Sequence, residues 1–339
     1  MKVKLLWMIL LLALPCGALG RRLKPEVEHA MTFGAEAKIC LKICDDTGGV
    51  VSNASVRAVF DMLPRPHSVY GKTDTNGICV VKGKTNGNKI VLFVGKDGYY
   101  GSRKEISYVP MRVERDVIDD KWQPYGDVET VELRKIRSPA QLSTAFMRDF
   151  NYTKAINEWV GFDFEKRDFV CPHGKGVIAD FEVFFEWDGR TFADYRGMAM
   201  KIRFVTKFSG YYQCEKNVVS EFKGPYSALS DALYQQNAAF SEHVIIDPDA
   251  YGRRYERTFF DESKCWVVRS RCKVDAEGNL ESANYLVINN IEFGYDRGGI
   301  ACVCITGAFN PTPNDTNLED EEIAKQSRHF IRQCEPKRQ

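Results

Sequence analysis

AKICLKICDDTGGVVSNASVRAVF (residues 37–60) and GKTDTNGICVVKGKTNGNKIVLFVGKDGYY (residues 71–100) lie either side of a proline-bearing loop, and how they read decides the fold. Ile39, Leu41 and Ile43 alternate with Lys38, Cys40, Lys42 and Cys44. Such alternation marks a strand with one buried face. Asp45-Asp46-Thr47-Gly48-Gly49 has the composition of a turn. Val56, Ala58 and Phe60 supply the next inward face. Asp74-Thr75-Asn76-Gly77 is a second tight turn, in which Gly77 is free to take a positive φ. Ile78 and Val80 are then expected to point inward and Cys79 outward. Ile90 to Val94 is apolar on both faces, as a central strand is. Val131 and Leu133, within Val128 to Ile136, close the unit. Strands and turns at this density predict a β-sandwich.

The turn residues recur in a definite order. Asp46 precedes Gly49 by three, then come Asn53-Ala54-Ser55-Val56, Thr73-Asp74-Thr75-Asn76-Gly77 and Gly98-Tyr99. In that order they resemble the carboxypeptidase regulatory-like module, a β-sandwich of the transthyretin/prealbumin kind, over residues 34–136, about a third of the chain. The resemblance implies a scaffold common on secreted proteins, with no chemistry of its own. The loop Met62 to Tyr70 is longer than the minimal module needs.

Arg137-Ser138-Pro139 reads as a linker, and residues 140–339 as a second β-rich domain with one or two short helices. The chain as a whole is therefore expected to be all-β, two sandwiches in series. Strands are predicted over Val177 to Trp187, Ala199 to Phe208, Lys264 to Val274, Tyr285 to Phe293 and Ile300 to Thr306. Asp275-Ala276-Glu277-Gly278-Asn279 reads as a hairpin turn. One helix is predicted from Ala228 to Phe240, capped by Ser227, with Leu229, Leu233 and Phe240 on one side. Another is predicted from Leu318 to Gln333, capped by Asn317, with Ile323, Phe330 and Ile331 on one side. Its late Arg328 and Arg332 suit the helix dipole. The stretches Gly161 to Lys166, Pro172 to Gly176 and Asn310 to Asp315 resemble parts of uncharacterised exported bacterial proteins, a likeness that implies organisation and no mechanism. The chain shows no internal repeat.

The first twenty residues carry Lys2 and Lys4, an apolar run from Leu5 to Leu14, and Ala18-Leu19-Gly20. This is the pattern of a secretory signal, cleaved after Gly20. Cys16 follows Pro15, a poor lipidation signal. Residues 21–33 read as a polar, unpatterned leader. No later segment approaches the roughly 20 apolar residues of a spanning helix. Of 47 basic and 46 acidic residues, cleavage removes two basic ones and leaves one net acid. Such a balance gives no electrostatic footprint for nucleic acid. Asn53, Asn151 and Asn314 each open a glycosylation sequon, relevant in a eukaryotic host.

Ten cysteines remain after cleavage: Cys40, Cys44, Cys79, Cys171, Cys214, Cys265, Cys272, Cys302, Cys304 and Cys334. An even number in an exported protein favours disulfides. Cys40 and Cys44 sit four residues apart on one strand, about 13 Å at ~3.3 Å per residue, beyond the roughly 7 Å limit for a bridge. Cys302 and Cys304 share a face of one strand, and Cys265 and Cys272 fall on opposite faces if one strand joins them. Cys79 with Cys40 or Cys44 is a pairing this pattern allows.

Asp180, Glu182 and Glu186 share a face if their strand is regular, with Asp163 and Glu165 upstream. Glycoside hydrolysis needs two carboxylates about 5–10 Å apart, and residues i and i+2 on a strand stand about 6.5 Å apart. Asp180 and Glu182 are therefore the catalytic candidates. The alternative for them is a solvated acidic face opposite Phe181, Val183 and Phe185. Cys171 and His173, with Cys302 and Cys304, have the residue types of a Cys₃His zinc site, against which stands disulfide use of the same cysteines. Trp187, Tyr211 and Tyr212 are candidate sugar-stacking rings, and Trp266 reads as core. The oxygen-rich Asn310 to Asp315 suits calcium or, more simply, a proline-stiffened turn.

No cofactor motif appears. The expectation is an exported, non-catalytic binding or accessory protein of the cell surface or periplasm, with carbohydrate or another envelope polymer as its partner. The competing expectations are a secreted hydrolase with a carboxylate site in the second domain, and a structural envelope protein with an exposed sheet edge.

Overall fold

A computed structural model describes residues 23–87, 89–107, 116–145, 150–188, 197–247, 252–295 and 300–336. Residues 1–20, the expected secretory signal, lie outside this range. Among the described residues the chain forms twenty-one strands and two helices, an all-β architecture of packed sheets.

Two sheets enclose the first core. In one, Ala35–Asp45 runs between Ile78–Thr85, antiparallel, and Asp127–Leu133, parallel. In the other the order is His67–Lys72, Ser55–Phe60, Ile90–Gly95 and Ser102–Ile106, antiparallel throughout. Ile39, Leu41 and Ile43 pack with Val56, Ala58, Phe60, Leu92, Val131 and Leu133, the inward faces that alternation predicts. The turn residues lock together. Thr73 Oγ1 accepts from the Ala54 amide at 2.8 Å and donates to the Val51 carbonyl at 2.8 Å. Asp74 accepts from the amides of Asn76 and Ile78, and Gly77 takes φ +73°, where a Cβ would lie 2.7 Å from the Ile43 carbonyl.

The strand Ile78–Thr85 departs from expectation. Cys79 and Val81 are buried while Val80 is exposed. The register explains it: Cys79 lies opposite Leu41, and cross-strand partners share a face. Burial of Leu41 therefore takes Cys79 inward, and puts it on the opposite face from Cys40 and Cys44. The predicted leader also acquires structure. Pro25–Phe33 is a helix, α1, started by Pro25 at its first position and ended at Gly34, as helix termini favour. It lays Val27 and Ala30 on the first core.

A second core lies between two six-stranded sheets. One orders Asp168–Phe169, Trp159–Asp163, Phe181–Asp188, Gly197–Arg203, Asn237–Asp247 and Gly252–Thr258. The other sets Gly210–Glu215, Lys264–Val274, Leu280–Tyr295 and Ala301–Asn310 side by side, with Ser143–Ala145 and Asn151–Thr153 on its edge. The Asp275 to Asn279 turn forms as predicted, with Gly278 at φ +83°.

The helix expected over Ala228 to Phe240 does not form. Leu233 is 92 % exposed, so the apolar spacing of Leu229 and Leu233 finds nothing to pack against. Gln235 instead exchanges backbone hydrogen bonds with Tyr211, and Phe240 belongs to the strand Asn237–Asp247. The last helix, α2 (Glu321–Gln333), starts three residues later than predicted. Its cap is Asp320, which accepts from the Glu322 amide at 2.8 Å, while Asn317 accepts from the Glu319 amide. Ala324, Ser327 and Phe330 form its buried stripe. Phe330 packs on Phe93 of the first core's outer sheet, ring centroids 5.8 Å apart.

Candidate functional site

Three of the five predicted carboxylates, Asp163, Glu165 and Asp180, converge on one cation that sequence reasoning missed. Lys264–Val274 is irregular between Ser270 and Lys273, and Arg271 there takes φ +51°. The kink aims the guanidinium inward, 4.4 Å above the Phe309 ring. Arg271 reaches Asp180 at 2.9 Å, Asp163 at 3.0 Å and Glu165 at 2.6 Å. Asp180 also accepts from the Phe164 amide and the Ser270 hydroxyl, each at 2.8 Å. Asp163 accepts from the amides of Val177, Ile178 and Lys166. Burial pushes the Asp163 carboxyl up, and those amides with Arg271 outweigh it, holding it below the usual range. Burial dominates at Asp180 and pushes its carboxyl up against the pull of Arg271.

This arrangement corrects the paired-carboxylate expectation. The strand begins only at Phe181, so Asp180 turns inward and is 3 % exposed. Glu182 lies half-buried outside, held by Arg203 at 2.6 Å, and Arg203 in turn stacks 4.1 Å from the Trp159 ring centroid. Glu186 pairs with Lys201. The first two carboxylates do not flank a common space, and each is already engaged by an arginine.

The stacking candidates are also committed to packing. Tyr211 is buried and stacks on Trp266 at 3.9 Å. Tyr212 meets Tyr234 edge-on, and its hydroxyl accepts from the Leu229 amide. Trp187 stands edge-on to Tyr295 at 4.4 Å. Cys171 is exposed, His173 faces Glu158 at 4.0 Å, and Cys302 and Cys304 are buried. No three metal-ligating side chains cluster among the described residues. In the Asn310 to Asp315 stretch the Asn310 amide donates to the Asp315 carboxylate and the Asn317 carbonyl, which ties a turn. None of the ten cysteines is disulfide-linked in this structure. The kink at Arg271 also changes the parity of its strand, so Cys265 and Cys272 pack in one cluster rather than on opposite faces.

A different place has the features of a binding site. In the hairpin of Leu280–Tyr295 and Ala301–Asn310, Ile288 pairs with Gly307 and Asn290 with Thr306. Asn289 is thus the extra residue of a β-bulge, a device that re-aims side chains. Its Oδ1 is buried and has no hydrogen-bond partner. Its carbonyl accepts from Lys216 Nζ at 3.0 Å. Gly307 has no room for a side chain, because a Cβ there would lie 2.0 Å from the Val287 carbonyl.

The loop after Gly210–Glu215 forms the opposite wall. Asn217 folds it by accepting from the amides of Val219 and Ser220, and reaches Glu132 of the first half with its own amide at 2.7 Å. The loop then joins the edge of Ser102–Ile106, through Arg103 N to Val219 O at 2.7 Å and Glu221 N to Gly101 O at 2.9 Å. Two adjoining recesses result. A deeper one of about 200 Å³ has an apolar floor that includes Phe222, Val287, Leu318 and Ile323. A shallower one of about 390 Å³ is bordered by Lys216, Glu262 and Asn290. Lys223, Asn289 and Thr306 line both.

Burial, helped by Lys223, pushes the Lys216 ammonium below the usual lysine range. Burial pushes the Glu221 carboxyl up against Lys223 and Arg103. Lys216 and Lys223 share this lining with three carboxylates, Glu221, Asp320 and Glu262, and with the Thr306 hydroxyl and the Asn289 bulge, so the two recesses suit a ligand rich in hydroxyls and show no excess of positive charge. The local sign of this site in the sequence is Asn289-Asn290, two amides between the apolar Leu286-Val287-Ile288 and Ile291.

No family model matches the chain, and no curated protein does. Among solved structures, 3-chlorocatechol 1,2-dioxygenase from Rhodococcus opacus 1CP is similar at 11 % identity over 30 % of this chain and 61 % of that one, TM-score 0.24. Catechol 1,2-dioxygenase from Acinetobacter radioresistens is similar at 14 % identity over 31 % of this chain and 53 % of that one, TM-score 0.24. In both, the match spans less than two thirds of the dioxygenase chain. A DUF3823 family protein from Parabacteroides merdae is similar at 7 % identity over 80 % of this chain and 98 % of that one, TM-score 0.20. Likenesses this weak carry no functional argument.

Proposed function

We propose that this is an exported, non-catalytic binding or accessory protein of the cell surface or periplasm. Residues 34–136 serve in it as a carboxypeptidase regulatory-like scaffold. The bulge cleft of the second half holds the ligand, a carbohydrate or envelope polymer. The observation that carries the proposal is the bulge at Asn289, whose buried Oδ1 has no hydrogen-bond partner, in a lining it shares with Lys216 and Lys223. Buried polar groups are nearly always satisfied, and a sugar hydroxyl is a donor of the right kind. The hydrolase alternative is not favoured: Asp180 and Glu182 each pair with a different arginine.

The test is a screen of the mature full chain against neutral and acidic glycans, read for binding and for hydrolysis. Glycans bound without turnover are the expected result. Lys223→Ala, which removes a charge-assisted contact, should weaken binding about 10- to 100-fold. Turnover abolished by Glu182→Gln, or affinity for the bound glycan unchanged in Lys223→Ala, would sink the proposal.

A further inference from the structure

Cys214 and Cys265 are directly opposed across the antiparallel pair of Gly210–Glu215 and Lys264–Val274. Their Sγ atoms are 3.2 Å apart. Opposed residues in such a pair have Cα atoms about 4.5–5.5 Å apart, inside the roughly 4.4–6.8 Å window for a bridge. Cys272 packs in the same cluster, but its thiol is turned to the Ser270 carbonyl. We propose that Cys214 and Cys265 form a cross-strand disulfide, made during export, that pins the strand from which the cleft loop departs. Lys216 follows Cys214 by two residues. The proposal stands independently of what the cleft binds.

The chemistry is thiol–disulfide exchange with an incoming protein or small-molecule disulfide as oxidant. Cys214 is the half-buried partner and Cys265 the buried one, so Cys214 meets the oxidant first. The hydrogen bond from Cys265 holds the Cys214 thiol below the usual range, while the same contact, with burial second, pushes Cys265 up. The Cys214 thiolate attacks one sulfur of the oxidant, forming a mixed disulfide and expelling a thiolate. Cys265, losing its proton as it attacks, displaces the second oxidant sulfur from Cys214. Two thiols lose two protons and two electrons, and one disulfide of the oxidant becomes two thiols.

The test uses the full chain recovered from the exported fraction, acid-quenched, denatured without reductant and alkylated with N-ethylmaleimide. Denaturation removes any protection due to burial. The expected digest contains the Cys214 peptide linked to the Cys265 peptide, a species lost on reduction, with neither cysteine alkylated. In Cys214→Ser the Cys265 thiol should be alkylated in full. Complete alkylation of both in the wild type, or either cysteine linked elsewhere, overturns the pairing.

Discussion

The Tyr100 hydroxyl donates to Glu319 Oε1 at 2.9 Å across 219 residues of chain. The same carboxylate takes the amides of Arg137 and Ser138 at 2.8 and 2.7 Å. One buried acid therefore holds both the residues between the two cores and Tyr100, which packs in a separate small cluster with Phe222 and Ala324. Burial and the neighbouring Glu319 push the Tyr100 phenol above its usual range, so it stays a donor at every working pH. Glu319→Ala leaves the Tyr100 hydroxyl and two backbone amides without their acceptor. The expected loss is about 2–4 kcal/mol, since hydrogen bonds to a charged group contribute roughly 1.5–3 each and water recovers part. Chemical denaturation measures it, with Tyr100→Phe expected to lose only about 1.5 kcal/mol. Equal stability of Glu319→Ala and wild type would show that this node does not join the two cores.

Arg271 is the corresponding node of the second core. Arg271→Met leaves Asp163, Glu165 and Asp180 with no shared cation. Breaking a buried pair from one side costs about 3–5 kcal/mol, and a variant that loses less than about 1 kcal/mol would contradict the geometry. Arg271→Lys is expected to rescue little, because one ammonium cannot replace a fork that spans three carboxylates.

The pH dependence follows from Asp163. Its folded pKa lies below the unfolded value, which is about 3.9. The unfolded chain therefore binds the proton first as pH falls, and the stability from ionised Asp163 is present above about pH 4 and is lost as pH drops through the lower folded value. Wild type minus Asp163→Asn should show a stability difference that is constant near neutrality and shrinks below about pH 4. Equilibrium unfolding of the two proteins between pH 3 and pH 7 checks this. A difference that grows on acidification would reverse the sign.

The cross-strand bridge has its own thermodynamic signature. Cys214 and Cys265 are 51 residues apart, and a loop of that size corresponds to about 4 kcal/mol of chain entropy removed from the unfolded state. The Cys214→Ser/Cys265→Ser variant, compared with the oxidised wild type, should be less stable by about 2–4 kcal/mol. After reduction of the wild type the difference should nearly vanish. A gap that persists under reductant would assign the effect to packing.

The first sandwich was legible because its information is local. Alternation of Ile39, Leu41 and Ile43, and turns such as Asp74 to Gly77, are set by neighbouring residues. Cys79 was misplaced because its face is decided by Leu41 on another strand. The second half depends more on irregularity. Arg271 at positive φ and Asn289 in a bulge each break strict alternation, so face assignments that assume a regular strand invert beyond them. The spacing of Leu229 and Leu233 imitates a helix that has no surface to cover. The cleft itself joins the loop at Lys216 to Lys223, the bulge at Asn289 and the strand at Thr306, three segments with no pattern in common.

Asn289 offers the sharpest separation of stability from function. A buried amide oxygen with no donor costs the folded chain roughly 1–3 kcal/mol, and residues kept for binding are often stability-neutral or costly. Asn289→Leu is close in volume, removes the unpaired oxygen and leaves the carbonyl that accepts from Lys216. Stability is expected to stay level or to rise by about 1 kcal/mol, while affinity for the bound glycan falls about 3- to 10-fold or more. Thermal unfolding and glycan titration on the same preparation give both quantities. A loss of more than about 1 kcal/mol would mean that the amide already has a structural partner, and unchanged affinity would remove Asn289 from the ligand site.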